Sequence, residues 1–256
     1  MTLSYTQLSA WLGEFLWPFL RIGAVFAVAP VFSARMVPVR VRVLLAVVLS
    51  WMLIPLIPEP PAVEPVSAAG ILMAAQQIMF GLTMGFVLQL VFAGLAFAGE
   101  AVAMSMGLGF ASMMDPQNGT QVPVVSSYYV IVATLLFLAL NGHLILIGLL
   151  ADSFRTLPVG GGVEREILWT LVVWAGHLFS GGLLVALPAV TSMLLVNLAF
   201  GVVTRAAPQL NIFAVGFPVA LFIGFILLFY TVPGIAPRFE SLLSAGFGVI
   251  KGIAGG

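Results

Sequence analysis

The chain has 256 residues, of which 62% are hydrophobic and 7% charged, with nine basic and nine acidic side chains and no net charge. A water-soluble domain of this size carries about 25% charged residues, so composition excludes an ordinary soluble globule, a disordered chain and, for want of a basic excess, a nucleic-acid binder. There is no cysteine, which removes disulfides, thiolate metal sites and thiol catalysis, and two histidines leave little material for a metal cluster.

Residues 1–10 contain no Lys or Arg, and Pro30 follows the Ala27-Val28-Ala29 triplet. The apolar N-terminal segment is therefore expected to be retained rather than removed as a signal. A helix needs about 20 apolar residues to cross the hydrocarbon, and apolar blocks set the architecture. The first runs from about Leu8 to Phe32. A basic turn, Ser33 to Arg42, follows with Arg35, Arg40 and Arg42. The second block, Val43 to Ile57, is short and ends in the Pro-rich loop PEPPAVEPVSAAG. The third starts at Ile71 and stays apolar through Glu100 to Met114, too long for one straight span and too short for two. The fourth is Val124 to Ala151. The fifth, Ile167 to Thr204, is over-long and holds Pro188 near its middle. The sixth begins at Pro218 and fades after Pro233. Irregular backbone is expected inside blocks three and five, buried in protein so that its polar groups are satisfied.

Basic residues do not orient these spans. Alternating crossings put Arg35, Arg40, Arg42 and Arg205 on one side and Arg155, Arg165, Arg238 and Lys251 on the other, so the positive-inside rule is undecided. Either the spans are not simple crossings, or partners rather than lipid hold the helices.

Three charged residues, Glu14, Arg21 and Glu100, interrupt apolar runs. Each costs roughly 2.5–3.5 kcal/mol at a helix centre on insertion scales. Glu14 and Arg21 share a helical face about 10 Å apart along the axis. They mark an ion or proton path, or they sit near helix ends or pair with neighbouring helices. His143 and His177 are proton relays or core histidines bonded to backbone carbonyls. Asn141 and Asn197 are expected to bond across helix interfaces. Gly81 and Gly85 form a GxxxG element that permits close helix approach. Gly107-Leu108-Gly109 lacks the third glycine and the preceding strand of a nucleotide site, and Asn118-Gly119-Thr120 matches a glycosylation sequon of a kind that arises by chance.

The most unusual segment is MSMGLGFASMMDPQNGTQVP, Met104 to Pro123. Methionine is flexible and polarisable, so Met104, Met106, Met113 and Met114 can close an apolar gap and still deform. Gly107 and Gly109 let the backbone bend, and Phe110 leads toward the turn at Asp115, Pro116 and Gln117. The segment is a deformable constriction, or a re-entrant piece packed in the core. A second unusual stretch, Arg205 to Pro218, has Pro208 and Pro218 near its ends and holds Gln209, Asn211, Phe213 and Gly216. It reads as a tight helix hairpin loop or a docking surface. No Ser-His-Asp set, HExxH or Walker A sequence is present, so no catalytic residue, cofactor or metal is expected and the chain reads as a non-enzyme.

The chain resembles the FliR family of flagellar type III export proteins. The resemblance is carried by Pro38-Val39-Arg40-Val41-Arg42, by Gly109-Phe110-Ala111-Ser112 with Asp115-Pro116-Gln117, by Leu138 to Leu144, and by Asn197 to Gly201 with Ala206 to Phe213 and Val215 to Pro218. These fall in one order over nearly the whole chain. The resemblance implies a single all-α, polytopic domain over 1–256, made of helix hairpins with broken helices. About 1–189 would be FliP-like and about 190–256, with 190–235 as its core, a FliQ-like hairpin. It implies a subunit of a helical, hetero-oligomeric cone in the bacterial inner membrane at the flagellar basal body. FliP-like and FliQ-like subunits, FlhB-like and FlhA-like export components, membrane lipid and unfolded flagellar proteins would be its partners. The stretch from about Met106 to Gln121 would be the plug. Rival readings are a stand-alone secondary transporter using Glu14, Arg21 and Glu100, with helices discontinuous near Pro188, and the homologous gate subunit of a virulence secretion system (the SctT family).

Overall fold

In a computed structural model, residues 5–108, 124–162, 166–207 and 216–254 are described, with side chains from residue 11 onward except at 166. Long apolar runs become helix because a backbone out of water must satisfy its N–H and C=O groups within its own segment. The helices are α1 (Tyr5–Val28), α2 (Val39–Leu53, continued by a 3₁₀ turn at Ile54–Leu56), α3 (Ala68–Ser105), α4 (Val124–Ala139), α5 (Gly142–Thr156), α6 (Glu166–Ala206) and α7 (Phe217–Ile253). No strand occurs among the described residues. Five helices are long and apolar enough to cross a membrane, and the α4–α5 pair, bent by 65°, makes a sixth if it counts as one span.

Several block boundaries differ from the sequence reading. Arg40 and Arg42 lie in the first turn of α2 rather than in a loop. Arg42 donates from Nη2 to the carbonyls of Ser33 (3.0 Å) and Ala34 (2.8 Å), so this arginine closes the turn after α1. Block three is one unbroken helix of 38 residues, and its helical geometry gives way only at its C-terminal end. Block four is not one straight helix. It bends at Asn141, which takes φ 55°, a left-handed value that Asn tolerates better than most residues. Gly142 follows because a Cβ there would stand 2.5 Å from the Phe137 ring. Asn141 thus serves the bend through its backbone, its carbonyl accepting from the N–H groups of Leu144 and Ile145.

Block five is not interrupted at Pro188, and α6 runs through it for 41 residues. Proline lacks the N–H that would bond the carbonyl four residues back, here Leu184. Arg238 of α7 donates from Nη1 to that carbonyl, so the acceptor is filled from the neighbouring helix. Likewise α7 does not fade after Pro233 but carries both Pro233 and Pro237 inside 37 helical residues.

The chain packs as two units. The first comprises residues 1–90, 137–175 and 243–256. Within it α1 packs on α2 and on the first part of α3. A Cβ on Gly81 would collide with the Arg21 carbonyl and lie 2.7 Å from Ala24 Cβ, and one on Gly85 would lie 3.0 Å from the Val25 carbonyl. The contacts advance together along both chains, so α1 and α3 run parallel. The close approach expected of the GxxxG element is present. Trp17, Ile22, Val25, Phe26, Phe80 and Leu88 form the buried layer beside this seam, and Trp174 Nε1 donates to the Val87 carbonyl at 3.3 Å.

The second unit comprises residues 91–136 and 176–242. Here the later part of α3 runs parallel to α6. A Cβ on Gly182 would fall on the Gly94 carbonyl, one on Gly94 would stand 3.2 Å from the Leu178 carbonyl, and Phe97 meets Phe179 edge-on at 5.6 Å. Ser126 Oγ of α4 donates to the Ala96 carbonyl at 2.9 Å. α6 and α7 form an antiparallel hairpin, with Leu242 against Gly181 and Arg238 at Leu184. Phe239 packs edge-on against Phe92 of α3 at 5.7 Å.

Candidate functional site

The end of α3 is where the methionine-rich stretch begins, and its geometry is dictated by one glycine. Gly107 has φ +83°, a left-handed value that costs a glycine nothing. Its N–H bonds the Met104 carbonyl at 3.1 Å, and the Leu108 N–H bonds the Ala103 carbonyl at 3.1 Å. This is the Schellman arrangement, which satisfies the last helical carbonyls and stops the helix. Met106, one residue before the glycine, is 1% exposed. It lies on Gly224 of α7, where a Cβ would stand 2.6 Å from Met106 Cε and 2.7 Å from its Cγ. Asn197 of α6 donates from Nδ2 to the Ser105 carbonyl at 3.2 Å, which is the cross-helix bond expected of it. A Cβ on Gly107 would meet the Phe217 ring at 3.3 Å. The root of the methionine-rich stretch is therefore seated on both arms of the hairpin.

The remaining site residues are distributed as follows. Met104 is 61% exposed. Gly109, Phe110, Met113, Met114, Asp115, Pro116 and Gln117 lie outside the described residues, as do Pro208, Gln209, Asn211 and Phe213. Arg205 is exposed in the last turn of α6, Gly216 is buried just before α7, and Pro218 is exposed in its first turn. Gly224 is not legible in the sequence, because a lone helical glycine has no spacing signal until its neighbour is known.

Arg21 is fully buried in α1. Its Nε donates to Gln77 Oε1 at 2.8 Å, Nη1 to the Ser153 carbonyl at 2.9 Å and to Ser153 Oγ at 3.1 Å, and Nη2 to the Leu157 carbonyl at 2.8 Å. The guanidinium lies 4.2 Å from the Phe154 ring centre and 5.2 Å from that of Phe80. All its acceptors are neutral. Two are carbonyls at the C-terminal end of α5, where unsatisfied C=O groups concentrate negative potential. Charge-assisted bonds of about 1.5–3 kcal/mol each and stacking on two aromatic faces offset the desolvation of the cation. Arg21 thereby ties α1, α3 and α5 together.

Glu14 does not join this cage. It lines a cavity of about 290 Å³ with Pro55 of the 3₁₀ turn and Pro58, Glu59 and Pro60 of the Pro-rich loop. Glu100 is exposed on α3. His143 is partly buried, with Nδ1 out of reach of a hydrogen-bond partner, so the carbonyl bond expected of it is not made through that atom. His177 is exposed on α6. No group of three or more His, Cys, Asp or Glu that could hold a metal occurs among the described residues.

Residues 12–246 match the bacterial export proteins, family 1. The chain is 40% identical over 255 residues to the flagellar biosynthetic protein FliR of Pectobacterium carotovorum subsp. carotovorum, covering 99% of this chain and 97% of that one. The chain belongs to the FliR family of bacterial export proteins. Its FliR-like sequence is also 41% identical to the Escherichia coli K12 protein, with 96% and 95% covered, and 31% identical to the Bacillus subtilis 168 protein, with 84% of each covered. The span-length helices fit a membrane location for this FliR-family chain.

Proposed function

We propose that the chain is a structural, non-enzymatic subunit of the flagellar type III protein export gate in the bacterial inner membrane. With FliP-like and FliQ-like subunits it forms a channel for unfolded flagellar proteins at the basal body, alongside FlhB-like and FlhA-like components. Residues of about 1–189 act as its FliP-like part and about 190–256 as its FliQ-like hairpin. The 40% identity to a flagellar FliR over 99% of the chain carries this reading and favours the flagellar system over a virulence one.

The hairpin's dimensions support it. At 1.5 Å per residue, 41 residues of α6 span about 60 Å, twice a hydrocarbon core of about 30 Å. In each of the two hairpin helices only 22% of the apolar window is buried within the chain. Apolar length beyond the bilayer needs protein to cover it, and unlike subunits supply that cover. The stretch from about Met106 to Gln121 acts as the plug, with Met104, Met106, Met113 and Met114 and Phe110 as a soft seal that holds back ions and parts for a passing chain. The stand-alone transporter loses its main support, because α6 is continuous through Pro188 and Arg21 bonds only neutral groups.

Mild detergent extraction of the native assembly tests the reading. The expected result is co-purification with FliP-like and FliQ-like chains, and isolation as a functional monomer or homodimer overturns it. Deletion of Gly107–Gly119 is expected to raise ion leakage across the membrane, and unchanged leakage rejects the plug.

A further inference from the structure

Beyond the gate, and independently of the plug, we propose that the basic turn between α1 and α2 is a binding site for the headgroup of an anionic phospholipid. Arg35 and Arg40 hold the phosphate, and the acyl chains lie along the outer face of α2.

Charge selects an anion. No acidic residue occurs from Phe15 to Pro58, while Arg35, Arg40 and Arg42 fall in one turn. Arg42 is spent on structure. Its Nη2 bonds the Ser33 and Ala34 carbonyls, which folds Arg35, the next residue, back toward the first turn of α2, where Arg40 stands. Arg35 and Arg40 are exposed and make no hydrogen bond or ion pair among the described residues. Like charges crowded in one turn repel, and an anion shared between them removes that repulsion. Guanidinium groups match phosphate oxygens in pairs.

The apolar surroundings select a lipid over a free anion or a protein. Met36, placed between the two free arginines in the chain, is 93% exposed. Only 17% of the apolar window Val39–Leu56 is buried. At about 100° per residue, the exposed Val39, Val41, Leu44, Val48 and Trp51 spread over roughly two thirds of the helix circumference. Helix contacts between proteins in a membrane favour small residues. The small residues of α2, Ala46 and Ser50, are both buried against the chain, which leaves valine, leucine, tryptophan and methionine facing outward. The 15 residues of α2 measure about 22 Å, short of a hydrocarbon core of about 30 Å. A short span is held by flanking side chains that reach the headgroups, and arginine at its end does this while its stem stays in apolar surroundings.

The cysteine-free chain accepts a local probe. Met36→Cys, carrying a fluorophore, is extracted in mild detergent with whatever chains accompany it. Quenching is then titrated with phosphatidylglycerol or phosphatidylcholine bearing the same brominated acyl chains. Phosphatidylglycerol should quench at a concentration about tenfold lower or better, from about fivefold for each arginine. Arg35→Gln/Arg40→Gln should bring the two curves together with the unfolding midpoint unchanged. Arg155→Gln/Lys251→Gln removes two exposed cations elsewhere in the same unit and should keep the preference. Equal quenching by the two lipids overturns the site, and so does an equal loss of preference in both double variants, which would be a net-charge effect. Quenching by neither lipid means that protein covers the turn, and it overturns the site as well. Glycerol phosphate, the soluble headgroup, should not relieve the quenching, and relief at concentrations matching the lipid makes this a free-phosphate site instead. The chains that co-purify report on the gate separately, so loss of the lipid site and loss of the gate are told apart.

Discussion

Arg238 donates its guanidinium to the carbonyl of Leu184, the acceptor that Pro188 leaves without a helical donor. An apolar surrounding penalises an orphan carbonyl by several kcal/mol, and a cation on the opposite arm of the hairpin relieves that cost beside Pro188. Arg238→Ala should therefore destabilise the extracted protein by about 1.5–3 kcal/mol, the range for a hydrogen bond to a charged group. Pro188→Ala restores the missing N–H, and in that background Arg238→Ala should cost under about 1 kcal/mol. Thermal unfolding of the four proteins in one detergent checks this. Equal costs in both backgrounds would mean that Arg238 acts elsewhere.

Removing the Arg21 guanidinium takes the side-chain donor from Gln77 Oε1 and from the part-buried Leu157 carbonyl, while the Ser153 carbonyl keeps the Leu157 N–H. Arg21→Met should lower stability by about 2–4 kcal/mol, from roughly 1–3 kcal/mol for each neutral acceptor left without its donor. Arg21→Lys keeps the charge but not the planar fork that reaches α3 and α5 together, so it should recover only part of the loss. Protein yield in the membrane and the unfolding midpoint in detergent measure both. A lysine variant as stable as the unmodified chain would show that charge alone is required.

Two glycines close together in the same unit should respond oppositely to a methyl group. Gly81→Ala drives a Cβ onto the Arg21 carbonyl and should cost about 1–3 kcal/mol through forced separation of α1 and α3. Gly23→Ala meets nothing within 4 Å and should be neutral or stabilise by up to about 1 kcal/mol, from helix propensity. The pair, compared by thermal unfolding, separates local crowding from any general intolerance of larger residues.

Gly107→Ala must hold a Cβ at φ +83° and 3.3 Å from the Phe217 ring. The strain is about 1–2 kcal/mol. The same substitution at Gly162, which meets nothing and is not in the left-handed region, should cost under about 0.5 kcal/mol. Equal losses at the two positions, read by unfolding in detergent, would remove the argument that the end of α3 depends on a glycine.

Much of this molecule was legible in the chain. Apolar block length and the scarcity of charge determine a polytopic helical protein, because a backbone removed from water has few ways to satisfy itself. The GxxxG spacing at Gly81 and Gly85 announced a close helix contact, and four ordered motifs announced the family. Block continuity was harder to read. Pro188 is a helix breaker by its own chemistry, yet α6 runs through it, and the carbonyl it orphans is filled by Arg238, 50 positions later in the sequence. Asn141 shows the converse, since an apolar run gave no warning of a left-handed residue at its centre.

Partnership was decided by tertiary structure alone. Glu14 and Arg21 share a helical face by spacing, yet Arg21 turns to the end of α5 and Glu14 to the Pro-rich loop. Met106 and Gly224 are unremarkable residues separately, and their fit exists only where α3 meets α7. Periodicity reports which face of a helix is apolar, because that depends on the residue itself. Which atom answers a buried donor, or fills a notch without a Cβ, depends on a distant segment brought near by packing, and no local pattern encodes it.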